Sequence, residues 1–222
     1  MKALQALRYV VLDTELTSLD ERTNRVLAVG AMAMDGAAIR LGRQFYRVLN
    51  PDVTIPPAGV LIHRLTPGEI AAGEPPARAL AELLDFVAGA VLVGHFIGID
   101  LAALRKEGRL AGLLPAESRS AGWLRIAGEY FVSRPPINPA LDTVRLHRWL
   151  DLRRKTRLVG WDHQVTSLDL ATVARCYDVP TTVSHQALDD AYTTARLWQK
   201  LIYALQEAGV TTLDAALRIG RG

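Results

Sequence analysis

The chain has 222 residues, half of them hydrophobic and 22% charged, with a formal net charge of +3. That length holds one sizeable core or at most two small ones, the composition is that of an ordinary globular protein, and so small a charge argues for no particular partner. The only cysteine, Cys176, excludes an intrachain disulfide and a thiolate zinc cage, and in a helical stretch it reads as a small core residue.

The first element is a buried strand from Arg8 to Leu12, closed by Asp13-Thr14-Glu15. A second runs from Arg25 to Met34 and a third from Arg40 to Leu49, with Asp35-Gly36 as the hairpin turn between them. Asn50 to Pro57 forms an irregular connection. Thr66-Pro67-Gly68-Glu69 starts a helix with proline at its first position. Pro75-Pro76 opens a helix of about a dozen residues with Leu80, Leu83, Leu84 and Val87 on one face. Val91 to Val93 is a short strand, and Asp100 follows it into a helical Leu101-Ala102-Ala103-Leu104.

Glycines and prolines break the pattern from about 108 to 139, which reads as an irregular insertion. Its aromatics, Trp123, Tyr130 and Phe131, stand among Arg119, Arg125 and Arg134. They either stack on bases or seal the loop against the body of the domain. Leu141 to Leu150 and Ser167 to Tyr177 read as helices, the second with Ser167 as N-cap and a stripe of Leu170, Val173, Ala174 and Tyr177. The last long helix spans about Gln186 to Gln206, with Ala187, Ala191, Ala195, Trp198, Ile202 and Leu205 on its buried face. A short helix covers about 211–219. Strands followed by alternating helices and strands predict one α/β domain over 1–222, with a mixed sheet flanked by helices and a core of about 8–207.

Charge is unevenly spread. Between Arg105 and Arg157 there are 12 Lys and Arg against 5 Asp and Glu, so the remaining residues carry 14 against 18. A basic segment beside acidic clusters fits a protein that attracts a polyanion while holding cations, and equally a set of solvated helix faces. The N-terminus lacks a secretory layout, and the longest uncharged apolar stretch, Phe86 to Ile99, is too short for a bilayer span. The expectation is a soluble, cytoplasmic protein with no membrane partner.

Three acidic clusters carry the chemistry. In a strand, Asp13 and Glu15 project to one side and Thr14 to the other. Either they repel each other until a cation neutralises them, or Glu15 has left the strand and the pair is a solvated strand end. Asp190 falls in the first turn of the last long helix, at the border of its buried face, while Asp189 points further towards solvent. His185, in the loop just before that helix, can swing over the carboxylates and take a proton from water near neutral pH. Asp100 supplies the fourth carboxylate. Oxygen-only ligands of this kind suit Mg²⁺ or Mn²⁺. Two such cations activate water and stabilise the leaving oxygen of a phosphodiester. No Walker-type glycine-rich loop is present.

Residues Val10 to Leu19, Leu92 to Asp100 and His185 to Ala191 resemble the three motifs of the DEDDh 3′–5′ exonucleases, the family of the proofreading epsilon subunit of bacterial DNA polymerase III. Ile62-His63 and Asn138 to Thr143 resemble its intervening segments. The resemblance implies a ribonuclease-H-like fold, two cations held by Asp13, Glu15, Asp100 and Asp190, and His185 as general base. It implies release of nucleoside 5′-monophosphates from single-stranded DNA or RNA 3′ ends. A DNA polymerase or repair complex is the implied partner. Leu16, Thr17, His63, His95 and Ile99 match positions lining the terminal-nucleotide pocket. Leu19 matches a wedge against the last bases, or is a buried strand-end leucine. Three residues depart from the family: Leu16 replaces a hydroxyl residue, Ser18 a glycine that tolerates positive φ, and Phe96 a common asparagine. An adaptor that binds nucleic acid without turnover and a dinucleotide phosphodiesterase are the alternatives.

Overall fold

A computed structural model describes residues 2–53, 64–113, 138–157, 167–181 and 186–219. Five strands form one mixed sheet: β1 Arg8–Leu16, β2 Val26–Asp35, β3 Ala38–Val48, β4 Val91–Gly94 and β5 Ala140–Asp142. Their order is β3-β2-β1-β4-β5. β1 runs antiparallel to β2 and parallel to β4, and β4 runs parallel to β5.

β1 is the central strand, and its alternation divides the core. Tyr9 and Val11 join a cluster on one face with Met32, Met34 and the buried side of the longest helix. Val10 and Leu12 join the other, with Leu80, Leu83, Ile97 and Leu104. Both sets are shut away from water, so the strand register cannot slip without exposing one of them.

Helices cover both faces: α1 Pro67–Ala71, α2 Pro76–Val87, α3 Ile97–Leu110, α4 Thr143–Arg157, α5 Leu170–Arg175, α6 Ala187–Glu207 and α7 Leu213–Ile219. α1 starts as predicted, with proline in its first turn and a reciprocal capping box between Thr66 and Glu69. The predicted stripe of α6 is buried throughout. Among the described residues, no helix is long and apolar enough to cross a membrane.

Four expectations are corrected. Ala140-Leu141-Asp142 is a strand, and the helix after it begins only at Thr143. Three residues are too few to show a period, whereas pairing with β4 is decided by neighbours distant in sequence. The N-cap of α5 is Asp169, whose carboxylate accepts from the Thr172 amide at 2.9 Å; Ser167 accepts from the Asp169 amide instead. Cys176 is exposed at the C-cap of α5, where the next residue, Tyr177, turns into the core in its place. The start of the proposed insertion is helical: α3 continues to Leu110, with Glu107 and Gly108 buried. Residues 114–137, with the aromatics and arginines singled out there, lie outside the described residues.

Candidate metal centre

β1 extends through Leu16, so Asp13 and Glu15 both lie within the strand. By alternation they share the face of Tyr9 and Val11, against which α6 packs. Glu15 is only 9% exposed, which removes the reading of a solvated strand end. The pairing with β2 slips between Glu15 and Leu16, a bulge of the kind that re-aims side chains at strand ends.

α6 brings the third carboxylate. Its first residue lies against Gly30, the partner of Asp13 on β2. A Cβ at Gly30 would stand 2.3 Å from the Ala187 carbonyl carbon and the Leu188 nitrogen. Only glycine permits so close an approach of backbone to strand. One turn further along, Asp190 meets the pair: one carboxylate oxygen from each of Asp13, Glu15 and Asp190 lies within 4.8 Å of the others. Gly30 was missed in the sequence, where a glycine inside an apolar strand announces only a bulge or a close neighbour.

Asp100 stands beside this group. It lies in the first turn of α3, buried, on the opposite side of the sheet. Its Oδ1 accepts from the Thr14 amide at 2.9 Å and from the Thr14 hydroxyl at 2.7 Å. Its charge still reaches the cluster. Burial first, then Asp100, Asp190 and Glu15, hold the Asp13 carboxyl well above the ordinary range. Burial, then Asp190 and Asp100, raise Glu15 from 4.5 to about 8. Asp100 itself rises from 3.8 to about 7, chiefly through burial, with the Thr14 bonds opposing the rise. Carboxyls that keep protons because they crowd one another out of water gain by exchanging those protons for a cation. The oxygen-only donor set therefore fits a hard divalent ion.

The surrounding residues divide. Leu19 is 80% exposed, which rules out a buried strand-end leucine. Its loop is closed by Thr17, whose amide donates to the Arg25 carbonyl (3.0 Å) and whose hydroxyl accepts from the Arg25 amide (2.9 Å). Arg25 in turn makes two bonds to Glu107 on α3, at 2.9 and 2.6 Å, and Lys106 reaches the Glu21 carbonyl and Asn24. Ser18 avoids the left-handed backbone its replacement of glycine threatened; Phe96 adopts it, at φ 57. Leu16 is half-buried and packs on the α2–α3 side of the core. Ile99 is 39% exposed.

His95 is engaged at both ring nitrogens. Nε2 donates to the Leu168 carbonyl at 2.7 Å, so the neutral ring accepts at Nδ1 from the Thr143 hydroxyl, 2.9 Å away. Burial lowers its proton affinity and favours that neutral form. Any substrate contact from His95 is therefore through its ring carbons. His63 and His185 lie outside the described residues. Tyr46 on β3, which the sequence did not single out, pairs with Gly30 of β2 and is 36% exposed. Its phenol is raised by burial and then by Glu69, Glu15 and Asp189, which puts it in the electrostatic reach of the cluster.

A central strand with paired acids, a mixed five-stranded sheet and helices on both faces define a ribonuclease-H-like nuclease fold. The exonuclease family model matches residues 10–198, and the chain belongs to that family. A DNA polymerase III subunit epsilon-like protein of Rhodobacter capsulatus is 28% identical over 215 residues, covering 96% of this chain and 26% of that protein. A putative bifunctional exonuclease/endonuclease protein of Mycobacterium tuberculosis is 27% identical over 216 residues, with coverage of 95% and 29%. This chain thus spans only a minor part of the curated relatives it matches. Among solved structures, E. coli Exonuclease I in complex with an oligonucleotide superposes with a TM-score of 0.71 at 16% identity, over 91% of this chain and 42% of that one. Cell-death related nuclease 4 superposes at 0.68 with 15% identity, over 94% and 67%.

Proposed function

We propose that the chain is one exonuclease domain, 1–222, that hydrolyses single-stranded nucleic acid from its 3′ end and releases nucleoside 5′-monophosphates. The observation that carries this reading is the gathering of Asp13, Glu15 and Asp190 within 4.8 Å, with the proton affinities of Asp13 and Glu15 raised by burial and then by the neighbouring carboxylates. Such a cluster has little structural use unless cations join it.

Asp13, Glu15 and Asp190 would hold two Mg²⁺ or Mn²⁺ ions, with Asp100 as the fourth ligand, steadied by Thr14. Bound there, the cations would supply the charge that activates water and offsets the leaving oxygen. Around them the protein orients and excludes. The α6 turn and the β1 rim fix the carboxylates on rigid elements, which keeps their spacing independent of loop motion. His185 is the proton acceptor for the attacking water, a role supported by its place in sequence just ahead of α6. Leu16, Thr17, Leu19, His63, His95 and Ile99 surround the terminal nucleotide. The relatives' names favour a setting in DNA replication or repair.

The test is release of mononucleotides from a 3′-labelled single strand with Mg²⁺ or Mn²⁺. Release is expected to stop on chelation and in Asp13→Asn with the fold retained. Activity that survives both, or binding without any release, would sink the reading. Matched DNA and RNA strands in the same assay assign the sugar preference.

A further inference from the structure

The backbone ahead of α3 carries an aromatic ring where backbone geometry disfavours one. Phe96 has φ 57 and ψ 38, and it is the one aromatic among the described non-glycine residues with positive φ. A Cβ is penalised in that region, and asparagine bears it better than phenylalanine does. The fold does not offset this cost by burying the ring, which leaves Phe96 41% exposed. The backbone that bears the ring is nonetheless held in place. Its amide donates to Asp142 Oδ1 at 3.3 Å, and its carbonyl accepts from the Ile99 amide at 2.9 Å. The ring stands edge-on to His95, with centroids 5.2 Å apart, and His95 is itself fixed at both nitrogens.

An exposed ring on a fixed backbone thus sits one helical turn before Asp100, about 6 Å along the helix axis. Ile99, three residues on, adds apolar surface that is 39% exposed. Apolar and aromatic surface beside an acidic rim suits the uncharged, planar part of a nucleotide and not its phosphate.

We propose that Phe96 is a base-stacking residue: with Ile99 it receives a nucleobase at the 3′ end while the phosphate lies toward Asp13, Glu15 and Asp190. The inference rests on the exonuclease reading and adds the way that the terminal bases are gripped. Every base has a π-face, so the grip is indifferent to sequence. The ring accepts a strained backbone because its contact surface is kept for the ligand.

The experiment compares the wild-type chain with Phe96→Asn and Phe96→Leu on two 3′-labelled single strands. One is normal, and the other carries abasic sugars in its last two positions. Both variants should raise KM on the normal strand by about tenfold, from lost base–aromatic stacking, and leave KM on the abasic strand unchanged. Phe96→Asn should also raise Tm by about 2–4 °C through relief of the backbone. Phe96→Leu keeps the backbone cost and should not raise it. An unchanged KM on the normal strand, an equal rise on both strands, or a fall in Tm with Phe96→Asn overturns the stacking role and leaves the exonuclease reading standing. A wild-type chain that neither binds nor shortens either strand overturns both.

Discussion

Helices α3 and α6 each bring an aspartate to β1 in their first turn, from opposite sides of the sheet, and they do so by different means. α6 comes in by close packing: Gly30 offers no side chain, the backbone of Ala187 settles on the strand, and Asp190 meets Asp13 and Glu15. α3 comes in through polar anchors: Thr14 donates twice to Asp100, and Asp142 holds the Phe96 amide. The same residue type at the same helical position therefore serves two purposes. Asp190 adds charge to a crowded cluster, while Asp100 is already supplied with donors and acts from its edge.

The largest effect that can break this comparison is on turnover. Asp190→Asn should lower kcat/KM by about a thousandfold, since charge stabilisation by bound cations is worth several kcal/mol. Thr14→Val, which removes one of the two donors to Asp100, should cost about tenfold, in the range for groups that orient a ligand. Equal losses in steady-state kinetics would show that the two aspartates are supported alike.

Next comes packing. Gly30→Val forces a side chain into the backbone of Ala187 and Leu188, and overpacking of this kind costs about 1–3 kcal/mol. Denaturant melts should record that loss, and divalent-ion affinity should fall with it because Asp190 moves away from Asp13. A variant that is destabilised but binds Mn²⁺ with unchanged affinity would separate the glycine from the site.

The smallest expected effect is the pH dependence of the metal-free protein. Glu15 and Asp100 bind protons more tightly when folded, at about 8 and about 7, than at their ordinary values of 4.5 and 3.8. The folded state therefore holds protons that the unfolded chain has released, and stability falls as pH rises. That contribution is complete below about pH 4 and lost through pH 7 to 8. Thermal melts in chelator should decline from pH 5 to 8.5, and Mn²⁺ should flatten the decline by taking the protons' place. A melting temperature independent of pH in chelator would contradict the crowding of the cluster.

Much of this was legible in the sequence because it depends on local pattern. The apolar run before Asp13 defines β1, and the spacing of Ala187, Ala191, Ala195 and Trp198 defines the buried face of α6. What escaped depends on contacts between distant segments. A three-residue strand such as Ala140-Leu141-Asp142 has no periodicity of its own, and β4 alone makes it a strand. Gly30 matters through a helix more than 150 residues away. Thr14 was assigned to the far side of the strand, which is right, but its bond to Asp100 needed the placement of α3. His95 was matched to the terminal-nucleotide pocket by resemblance alone, and nothing in the sequence showed that both its ring nitrogens bond to the scaffold.

The Arg25–Glu107 pair has a practical corollary. The Glu107 side chain is wholly out of solvent and that of Arg25 is only 20% exposed, in contrast to Arg40 and Asp35, which are about half exposed. Dissolved electrolyte screens exposed ions over about 3 Å at 1 M but reaches sheltered ones far less. A concentrated salt wash should therefore strip bound polyanions from the surface while the loop bearing Leu19 keeps its shape, so nucleic acid carried through purification can be removed without unfolding the part that would meet it.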